Sequence, residues 1–478
     1  MSNGIRPRRL ADLEDQVREQ VALTAYDAPA WAGLDDGTLP VVVVGAGQAG
    51  LSAAFGLRRK GIRDVLVIDA AAADATGPWA SYARMHTLRT PKDALWPAWG
   101  VPAATPRAWF TATHGRAAWE ELVQLPTSGW RDFLRWYREI LEIEVSSGTS
   151  LTAIRPAAGA LELELVDERG PRTVRAARVV LATGIEGAGG RRVPSLFDGL
   201  PAHRWSHIHD DIDFAGLRGL RVGILGGGTG AFDNAATALE AGAASVTVHM
   251  RRAAMPSVSP YRWMEFPGLL EHYPSFTDDQ KWTFNEHLAR VDQPATQGAI
   301  WRAYAHETFE LRTSSPWLGV DLVGDDLVVR TPQGSETYDH LLAATGVSVD
   351  LAARPELVDL VDDIACWRDR YAPPSDTTAA DLLGHPYLSD TFALTSRTGR
   401  LADALSRVYL FNHGARMSVG ILGHQISGLS GGVERLVHGV VRDTFVERSE
   451  SVLASYLTYA EPAGVVLGAR AEAGVAHA

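Results

Sequence analysis

The chain has 478 residues, of which 46% are apolar and 21% are charged, and these proportions are typical of a folded globular protein of two or three domains. Its 45 Lys and Arg against 57 Asp and Glu give a net charge of −12, which argues against binding to nucleic acid or to an anionic membrane surface. A single cysteine, Cys366, excludes a disulfide within the chain and favours a reducing compartment, so we expect a cytoplasmic protein.

Residues 1–38 precede the first strong strand signal, and we expect them to form an N-terminal arm. Apolar residues recur within this arm at the spacing of one helical face, which predicts an amphipathic helix. The residues on that face are Leu10, Leu13, Val17 and Val21. The uncharged stretch 37–57 is long enough to span a bilayer, but Pro40 and five glycines interrupt it, so we predict no membrane segment.

A strand signal at 41–44 leads into the sequence Gly45-Ala46-Gly47-Gln48-Ala49-Gly50, and a predicted helix follows. A second strand, 65–68, ends at Asp69, which lies 19 residues after Gly50. This order predicts a βαβ unit in which a pyrophosphate approaches the glycine backbone at the helix N-terminus and the acid binds a ribose. We therefore predict a first site, for FAD or NAD, at Gly45, Gly47, Gln48, Gly50 and Asp69.

The same order of signals recurs later in the chain. Strand 222–225 enters Gly226-Gly227-Gly228-Thr229-Gly230, and a helix and the strand 246–248 follow. No acid stands after this strand; Arg251 and Arg252 do, and their guanidinium groups suit a 2′-phosphate. We predict an NADPH site at Gly226, Gly228, Thr229, Gly230, Arg251 and Arg252, with solvated surface arginines as the alternative.

The rest of the chain gives weaker signals. The segment 130–141 places five apolar residues on one helical face, and the alternation at 161–165 before a turn at 168–170 predicts a hairpin. An aromatic-rich block, 256–317, predicts a helical insertion within the second unit. The tail 461–478 is rich in Ala and Gly, and we expect it to lack regular structure.

Several short motifs, taken in their order along the chain, resemble those of the class B flavoprotein monooxygenases, which include flavin-containing monooxygenases, Baeyer–Villiger monooxygenases and N-hydroxylating relatives. The matching segments are Gly77-Pro78-Trp79 for the family's GGxW turn, Thr90-Pro91-Lys92 for its T-P-K element, and Leu181-Ala182-Thr183-Gly184 and Ala343-Ala344-Thr345-Gly346 for its two ATG segments. The stretch 197–207 is similar to the family fingerprint, with His207 in place of an aromatic residue.

This resemblance implies an α/β fold with two Rossmann-like dinucleotide-binding domains, in which the NADPH domain is inserted into a discontinuous FAD domain. The expected FAD domain comprises 39–200 and 341–460, and the expected NADPH domain comprises 201–340. The resemblance also implies that Trp79, Thr183 and Gly184 contribute to FAD binding.

The family's chemistry, carried over by resemblance, has NADPH reduce FAD and molecular oxygen form a flavin C4a-(hydro)peroxide, which transfers one oxygen atom to a small organic substrate. We expect N- or S-oxygenation. The alternatives are a Baeyer–Villiger-type monooxygenase, an NADPH oxidase or dehydrogenase and, least favoured, a nucleotide-binding sensor without turnover. Disulfide reductases share the two-nucleotide architecture, but they need a dithiol, which Cys366 alone cannot supply.

Arg89 stands two residues before the proline of the T-P-K element, where N- and S-oxidising relatives commonly carry asparagine and Baeyer–Villiger relatives aspartate. A cation beside the flavin would stabilise a negatively charged oxygen species and hold a substrate carboxylate. We therefore predict that Arg89 is catalytic and that the substrate is anionic or amino-acid-like, with a structural ion-pair partner as the alternative.

Two further groups of polar residues are candidates for a role at the site. The stretch 203–211 has the composition of a metal site, but we predict no metal because such residues near a surface are commonly solvated. Asn412 and His413 are candidate flavin neighbours, although structural hydrogen bonds at a helix start explain them equally well. The oligomeric state is left open, with a homodimer as one option.

Overall fold

The computed structural model describes residues 8–25, 31–32, 37–377, 379–423 and 425–464. Parts of the predicted arm and most of the predicted tail lie outside these residues. The strands, in chain order, are β1 (Leu39–Val44), β2 (Val65–Asp69), β3 (Ser146–Ser147), β4 (Ser150–Ala157), β5 (Ala160–Asp167), β6 (Gly170–Gly184), β7 (Gly189–Arg191), β8 (Trp205–His207), β9 (Arg221–Leu225), β10 (Ser245–His249), β11 (Phe309–Arg312), β12 (Gly319–Val323), β13 (Asp326–Thr331), β14 (Gly334–Tyr338), β15 (His340–Ala343), β16 (Val347–Val349) and β17 (Val408–Asn412).

The α-helices connect these strands and extend the chain beyond them. In chain order they are α1 (Arg8–Leu23), α2 (Gln48–Arg59), α3 (Pro106–His114), α4 (Arg116–Glu121), α5 (Thr127–Ile140), α6 (Thr229–Glu240), α7 (Pro260–Trp263), α8 (Pro267–His272), α9 (Asp278–Val291), α10 (Gln297–Tyr304), α11 (Trp367–Arg370), α12 (Ala402–Ser406), α13 (Arg416–Val419), α14 (Leu429–Glu447) and α15 (Ser449–Thr458).

The first sheet has the strand order β3-β2-β1-β6-β5-β4, and β17 also pairs with β6. Strands β2, β1, β6 and β17 run in parallel, whereas β4 and β5 form antiparallel pairs that include the predicted hairpin. The run Val41–Val43 is fully buried in β1, as expected for a strand covered on both faces. The carboxyl ends of β2, β1, β6 and β17 therefore meet at one edge.

The second sheet has the order β11-β10-β9-β15-β8, and all its pairs are parallel. Its strands lie in the chain between β6 and β17, so the first sheet is built from two separated segments. This arrangement confirms the predicted fold class, two Rossmann-like units with one inserted into the other. A small antiparallel sheet, β12-β13-β14, lies beside the second unit.

The predicted helical insertion at 256–317 is only partly helical. Helices α7 to α10 end at Tyr304, and Phe309–Arg312 form β11, the edge strand of the second sheet. Phe309 is buried and Leu311 packs against the same core, so this short segment follows the two-residue period of a strand. The prediction was wrong here because four residues carry too little periodicity to stand out within an aromatic-rich block.

The N-terminal arm contains the predicted amphipathic helix, α1. Leu13 and Val17 are buried in the first core, and the Trp136 Nε1 on α5 donates to a Glu14 carboxylate oxygen at 3.3 Å. The arm therefore packs onto the first unit. Among the residues that the structure describes, no helix is both long enough and apolar enough to cross a membrane.

Two candidate nucleotide sites and the region between them

The first glycine loop is closed on one side and open on the other. Gly45 has φ +101°, and a Cβ built on it would lie 2.4 Å from the Ala182 carbonyl oxygen; a Cβ on Gly50 would lie 1.8 Å from the Gly45 carbonyl oxygen. A Cβ on Gly47 would meet nothing within 4 Å, and helix α2 begins there without a side-chain cap. The open space above Gly47 thus faces uncapped helix amides, which fits a pyrophosphate.

Asp69 lies beside this loop, at the end of β2. Its Oδ2 accepts a hydrogen bond from the Ala46 amide at 2.7 Å, and its Oδ1 accepts one from the Ala71 amide at 2.8 Å. The carboxylate is therefore held at the position expected for ribose recognition. Gln48 supports the loop, because its Oε1 accepts a hydrogen bond from the Trp130 Nε1 of α5 at 3.1 Å.

The end of β6 completes the edge on the other side of the loop. Thr183 Oγ1 accepts a hydrogen bond from Asn412 Nδ2 at 3.0 Å, and Asn412 Oδ1 accepts one from the Gly414 amide at 2.9 Å. Gly184 has φ +72°, where a side chain would be strained. The amide nitrogen and the amide oxygen of Asn412 thus each make a structural hydrogen bond, which favours a structural role over the role of a flavin neighbour. Trp79 is partly buried and packs against the first core.

The second glycine loop repeats this geometry. Gly226 has φ +129°, and its Cβ would lie 2.2 Å from the Ala344 carbonyl oxygen; a Cβ on Gly230 would lie 2.5 Å from Ile208 Cδ1. A Cβ on Gly228 would meet nothing within 4 Å, and α6 begins there without a side-chain cap. Each loop therefore rests on an Ala-Thr-Gly segment and leaves its middle glycine open to a ligand.

The two arginines predicted for the second ribose follow β10 as expected, but they differ. Arg251 is exposed, whereas Arg252 donates to the Arg290 carbonyl oxygen at 3.1 Å and lies 3.6 Å from an Asp292 carboxylate oxygen. Because a carboxylate already faces Arg252, Arg251 is the better candidate for a 2′-phosphate contact.

We expect Arg251→Gln to raise the KM for NADPH about 10- to 100-fold, the range for losing a hydrogen-bonded charge pair, and to change the KM for NADH by less than about twofold. Steady-state NAD(P)H oxidation by the flavin-loaded protein measures both constants. Arg252→Gln serves as the matched control and should have the smaller effect. Equal losses with the two coenzymes would remove Arg251 from the 2′-phosphate.

Arg89 does not extend freely towards the first loop. Its guanidinium donates to Thr229 Oγ1 at 2.6 Å and to the Pro294 carbonyl oxygen at 2.8 Å, so it joins the first turn of α6 to the insertion. Its catalytic role stays a prediction. These contacts place the charge beside the second loop, where a pyrophosphate on the α6 N-terminus would lie.

A buried acid lies one turn along α6 from Thr229. Burial raises the pKa of Asp233 to about 6, and the charges of Arg302 and Arg89 limit that rise. Arg302 lies 3.5 Å from Asp233 Oδ1 and also donates to the Arg84 carbonyl oxygen at 3.3 Å. The loop that carries Arg84 and Arg89 is therefore tied to both α6 and the insertion.

The polar cluster at 203–211 joins the two units. His209 Nδ1 lies 2.6 Å from Glu186 Oε1, its ring stacks on Tyr82 at 4.2 Å, and His207 Nε2 lies 3.1 Å from the Gly346 carbonyl oxygen. Burial lowers the pKa of His207 to about 4, so its ring is neutral at pH 7. In the described part of the chain, no three His, Cys, Asp or Glu residues are grouped as a metal site requires.

The two loops, each at the carboxyl edge of its own parallel sheet, define a flavoprotein oxidoreductase architecture with two nucleotide sites. In agreement, the profile of the pyridine nucleotide-disulphide oxidoreductase family matches residues 39–266. The FAD-dependent urate hydroxylase of Xanthomonas campestris pv. campestris is 41% identical over 460 residues, which cover 94% of this chain and 96% of that protein. The chain therefore belongs to the flavin-dependent oxidoreductases and monooxygenases, in the family of that hydroxylase.

Solved structures agree on the fold. The ornithine N-hydroxylase of Kutzneria sp. 744 superposes with a TM-score of 0.66 at 18% identity, covering 85% of this chain and 99% of that one. The ornithine hydroxylase of Pseudomonas aeruginosa gives 0.64 at 15% identity, with the same coverage. A bacillithiol disulfide reductase of Bacillus cereus gives 0.53 at 14% identity, covering 85% and 99%. A dithiol is not available within this chain, because Cys366 is its one cysteine.

Proposed function

We propose that the protein is an NADPH- and O₂-dependent flavoprotein monooxygenase that hydroxylates a small anionic substrate, with urate as the first compound to test. The observation that carries this proposal is the 41% identity to a FAD-dependent urate hydroxylase along nearly the whole of both chains. The reaction consumes NADPH, a proton, O₂ and the substrate, and yields NADP⁺, water and the hydroxylated substrate. Two electrons come from NADPH, and one oxygen atom enters the substrate.

The first glycine loop, 45–50, together with the start of α2 forms what we call the first cradle, which would hold FAD. The amides at the start of α2 would bind its pyrophosphate above Gly47, and Asp69 would hold its adenosine ribose. The proposed FAD domain is 39–200 together with 341–460, and Trp79, Thr183 and Gly184 belong to it. Bound FAD would supply two-electron transfer and activation of O₂, while the protein orients the ring and excludes water.

The second cradle, formed by the glycine loop 226–230 and the start of α6, would hold NADPH in a domain formed by 201–340. The amides at the start of α6, above Gly228, would bind the pyrophosphate, and Arg251 would bind the 2′-phosphate. Arg89, fixed by Thr229, would add a charge-assisted hydrogen bond to the same pyrophosphate. The loop 84–89 links the two units, because Arg89 bonds to Thr229 and to the Pro294 carbonyl oxygen, and the Arg84 carbonyl oxygen accepts from Arg302.

The same two-nucleotide architecture also supports other reactions. N- or S-oxygenation, a Baeyer–Villiger reaction and an uncoupled NADPH oxidase all use the same two cofactors. The ornithine hydroxylases share the fold with this chain at less than a fifth identity, which supports the architecture and not their substrate. The near full-length relative favours urate over an amine.

The test is a stoichiometry measured with purified flavin-loaded protein. We expect NADPH consumption, O₂ consumption and urate loss to agree one to one to one, because coupled turnover places each pair of electrons in product. NADH should be consumed more slowly, and L-ornithine and L-lysine serve as comparison substrates. Hydrogen peroxide in place of urate loss would favour the oxidase, and turnover of an amine alone would favour N-hydroxylation.

A further inference from the structure

A basic cluster lies at the end of β17, outside the two glycine loops. We define it as His385, His413 and Arg416. His385 is 5% exposed, and its Nδ1 lies 3.3 Å from the Gly414 carbonyl oxygen; its ring centroid lies 6.4 Å from that of His413. Arg416, the first residue of α13, is partly buried, and its Nε is inaccessible to solvent. Of its three residues, only His413 was a candidate from the sequence, as a flavin neighbour.

Arg416 forms no ion pair with a carboxylate of the residues that the structure describes. Its buried Nε donates no hydrogen bond. Burial and the charge of Arg416 lower the pKa of His413 to about 3, and burial, Arg416 and His413 lower that of His385 well below its usual value. At neutral pH Arg416 is therefore the charged member of the cluster, beside two uncharged imidazoles.

Such a charge is costly unless a ligand compensates it. Burying a guanidinium nitrogen without a partner is unfavourable, because its hydrogen bond to water is lost and nothing replaces it. A buried arginine with a purely structural role is expected to pair with a carboxylate, and the chain has 57 acidic residues that could supply one. An unpaired arginine of this kind is therefore suited to an incoming anion.

The position of the cluster follows from the order of strands at the carboxyl edge. Asp69 ends β2, and Gly47 follows β1. A dinucleotide whose ribose lies at Asp69 and whose pyrophosphate lies at Gly47 therefore extends towards β6 and β17. The edge is continuous there, since Thr183 bonds to Asn412 and Asn412 bonds to Gly414. The far half of the dinucleotide would thus end beside the basic cluster.

The insertion covers the same place. Tyr273, from the segment after α8, is buried, and its hydroxyl donates to the Met417 carbonyl oxygen at 3.3 Å. A Cβ on Gly420 would lie 2.9 Å from the Tyr273 ring, so the insertion and the turn of α13 are in direct contact. Arg416 therefore lies where three parts of the chain converge: the first sheet, the C-terminal segment and the insertion.

We propose that the Arg416 guanidinium binds the anionic edge of the substrate, with His385 and His413 as the water-excluding wall of the same subsite. This inference rests on the proposed function and names its substrate class, a planar anion with two adjacent acceptors. The rigid fork of arginine pairs with two such acceptors at once, whereas the neutral imidazoles add no competing charge. Both a heterocyclic anion such as urate and an amino-acid carboxylate satisfy this chemistry.

The experiment compares Arg416→Gln and Arg416→Lys with the wild type, using flavin-loaded protein. Urate and L-ornithine are titrated against the oxidised flavin absorbance to give Kd, and steady-state turnover gives KM. For the anion that binds the wild type, we expect Arg416→Gln to raise Kd and KM about 10- to 100-fold, the range for a lost charge-assisted hydrogen bond. Arg416→Lys should recover part of the loss, because it keeps the charge without the fork. Flavin content and NADPH-driven flavin reduction without substrate should stay within about twofold of wild type.

Arg400→Gln, at an exposed loop position, is the matched control and should behave as the wild type. An unchanged Kd in Arg416→Gln would overturn the inference. A fall in substrate-free flavin reduction as large as the loss of substrate binding would also overturn it, because it would place the Arg416 charge at the flavin itself. Tight wild-type binding of urate without its turnover, combined with weak binding by Arg416→Gln, would overturn the proposed function and support the subsite. A wild type that binds neither anion would overturn both.

Discussion

Gly47→Ala is expected to yield a folded protein that has lost its flavin. The backbone at Gly47 has φ −72° and ψ −173°, which alanine adopts freely, and the added Cβ would meet no protein atom within 4 Å. The methyl group would instead occupy the space into which a pyrophosphate must come to reach the α2 amides. We expect the FAD dissociation constant to rise about 100-fold or more through lost charge-assisted hydrogen bonds, while the free energy of unfolding of the apoprotein changes by less than about 0.5 kcal/mol.

Flavin absorbance per protein after desalting, and chemical unfolding of the apoprotein, measure the two quantities. Gly298→Ala is a matched control, because a Cβ on that glycine also meets nothing within 4 Å and the residue belongs to α10 and not to the first loop. Gly50→Ala makes the opposite comparison: its Cβ would lie 1.8 Å from a backbone oxygen, so the fold itself should be destabilised. Stoichiometric flavin in Gly47→Ala would contradict the assignment of the first cradle to FAD.

Arg89→Ala is expected to slow the reduction of the flavin by NADPH about 10- to 100-fold, because it removes a charged hydrogen-bond donor at the second pyrophosphate position. Flavin content should not change, since the guanidinium bonds to Thr229 and to the Pro294 carbonyl oxygen and to no residue of the first loop. Anaerobic rapid mixing of oxidised enzyme with NADPH measures the rate directly.

Reduction of Arg89→Ala by dithionite, which needs no nucleotide, is the internal control and should proceed as in the wild type. Arg89→Lys should show an intermediate rate with NADPH. A normal rate of reduction combined with less product and more hydrogen peroxide would instead support the role that the sequence alone suggests for Arg89, beside the flavin.

The parts of the fold that could be predicted from the sequence are those whose signals are local. The run Val41–Val44, the glycines after it and Asp69 are close together in the chain, and each follows from backbone sterics or from a strand period. The recurrence of this order at 222–248 predicted the second unit for the same reason. By contrast, β11 has four residues and depends on a neighbouring strand that pairs with it across the insertion.

The side chains between the two units depend on contacts that no local pattern encodes. Arg89 meets Thr229 and Pro294, which are 140 and 205 residues away in the chain. Its position in the T-P-K element could be read from the sequence, but its partners could not. Arg416 is harder still, because what marks it is a missing partner, and only a folded chain shows which charges lack one.

The contact between the insertion and the C-terminal segment has a mechanical consequence. Trp282 of α9 and Trp367 share one buried cluster, Trp282 stacks on Tyr371 at 5.3 Å, and the Tyr387 hydroxyl donates to an Asp278 carboxylate oxygen at 2.9 Å. These contacts join the insertion of the second unit to the C-terminal segment of the first, in addition to the two places where the chain passes from one unit to the other. Because this buried cluster joins an element of each unit, we expect the unfolding of the two units to be coupled.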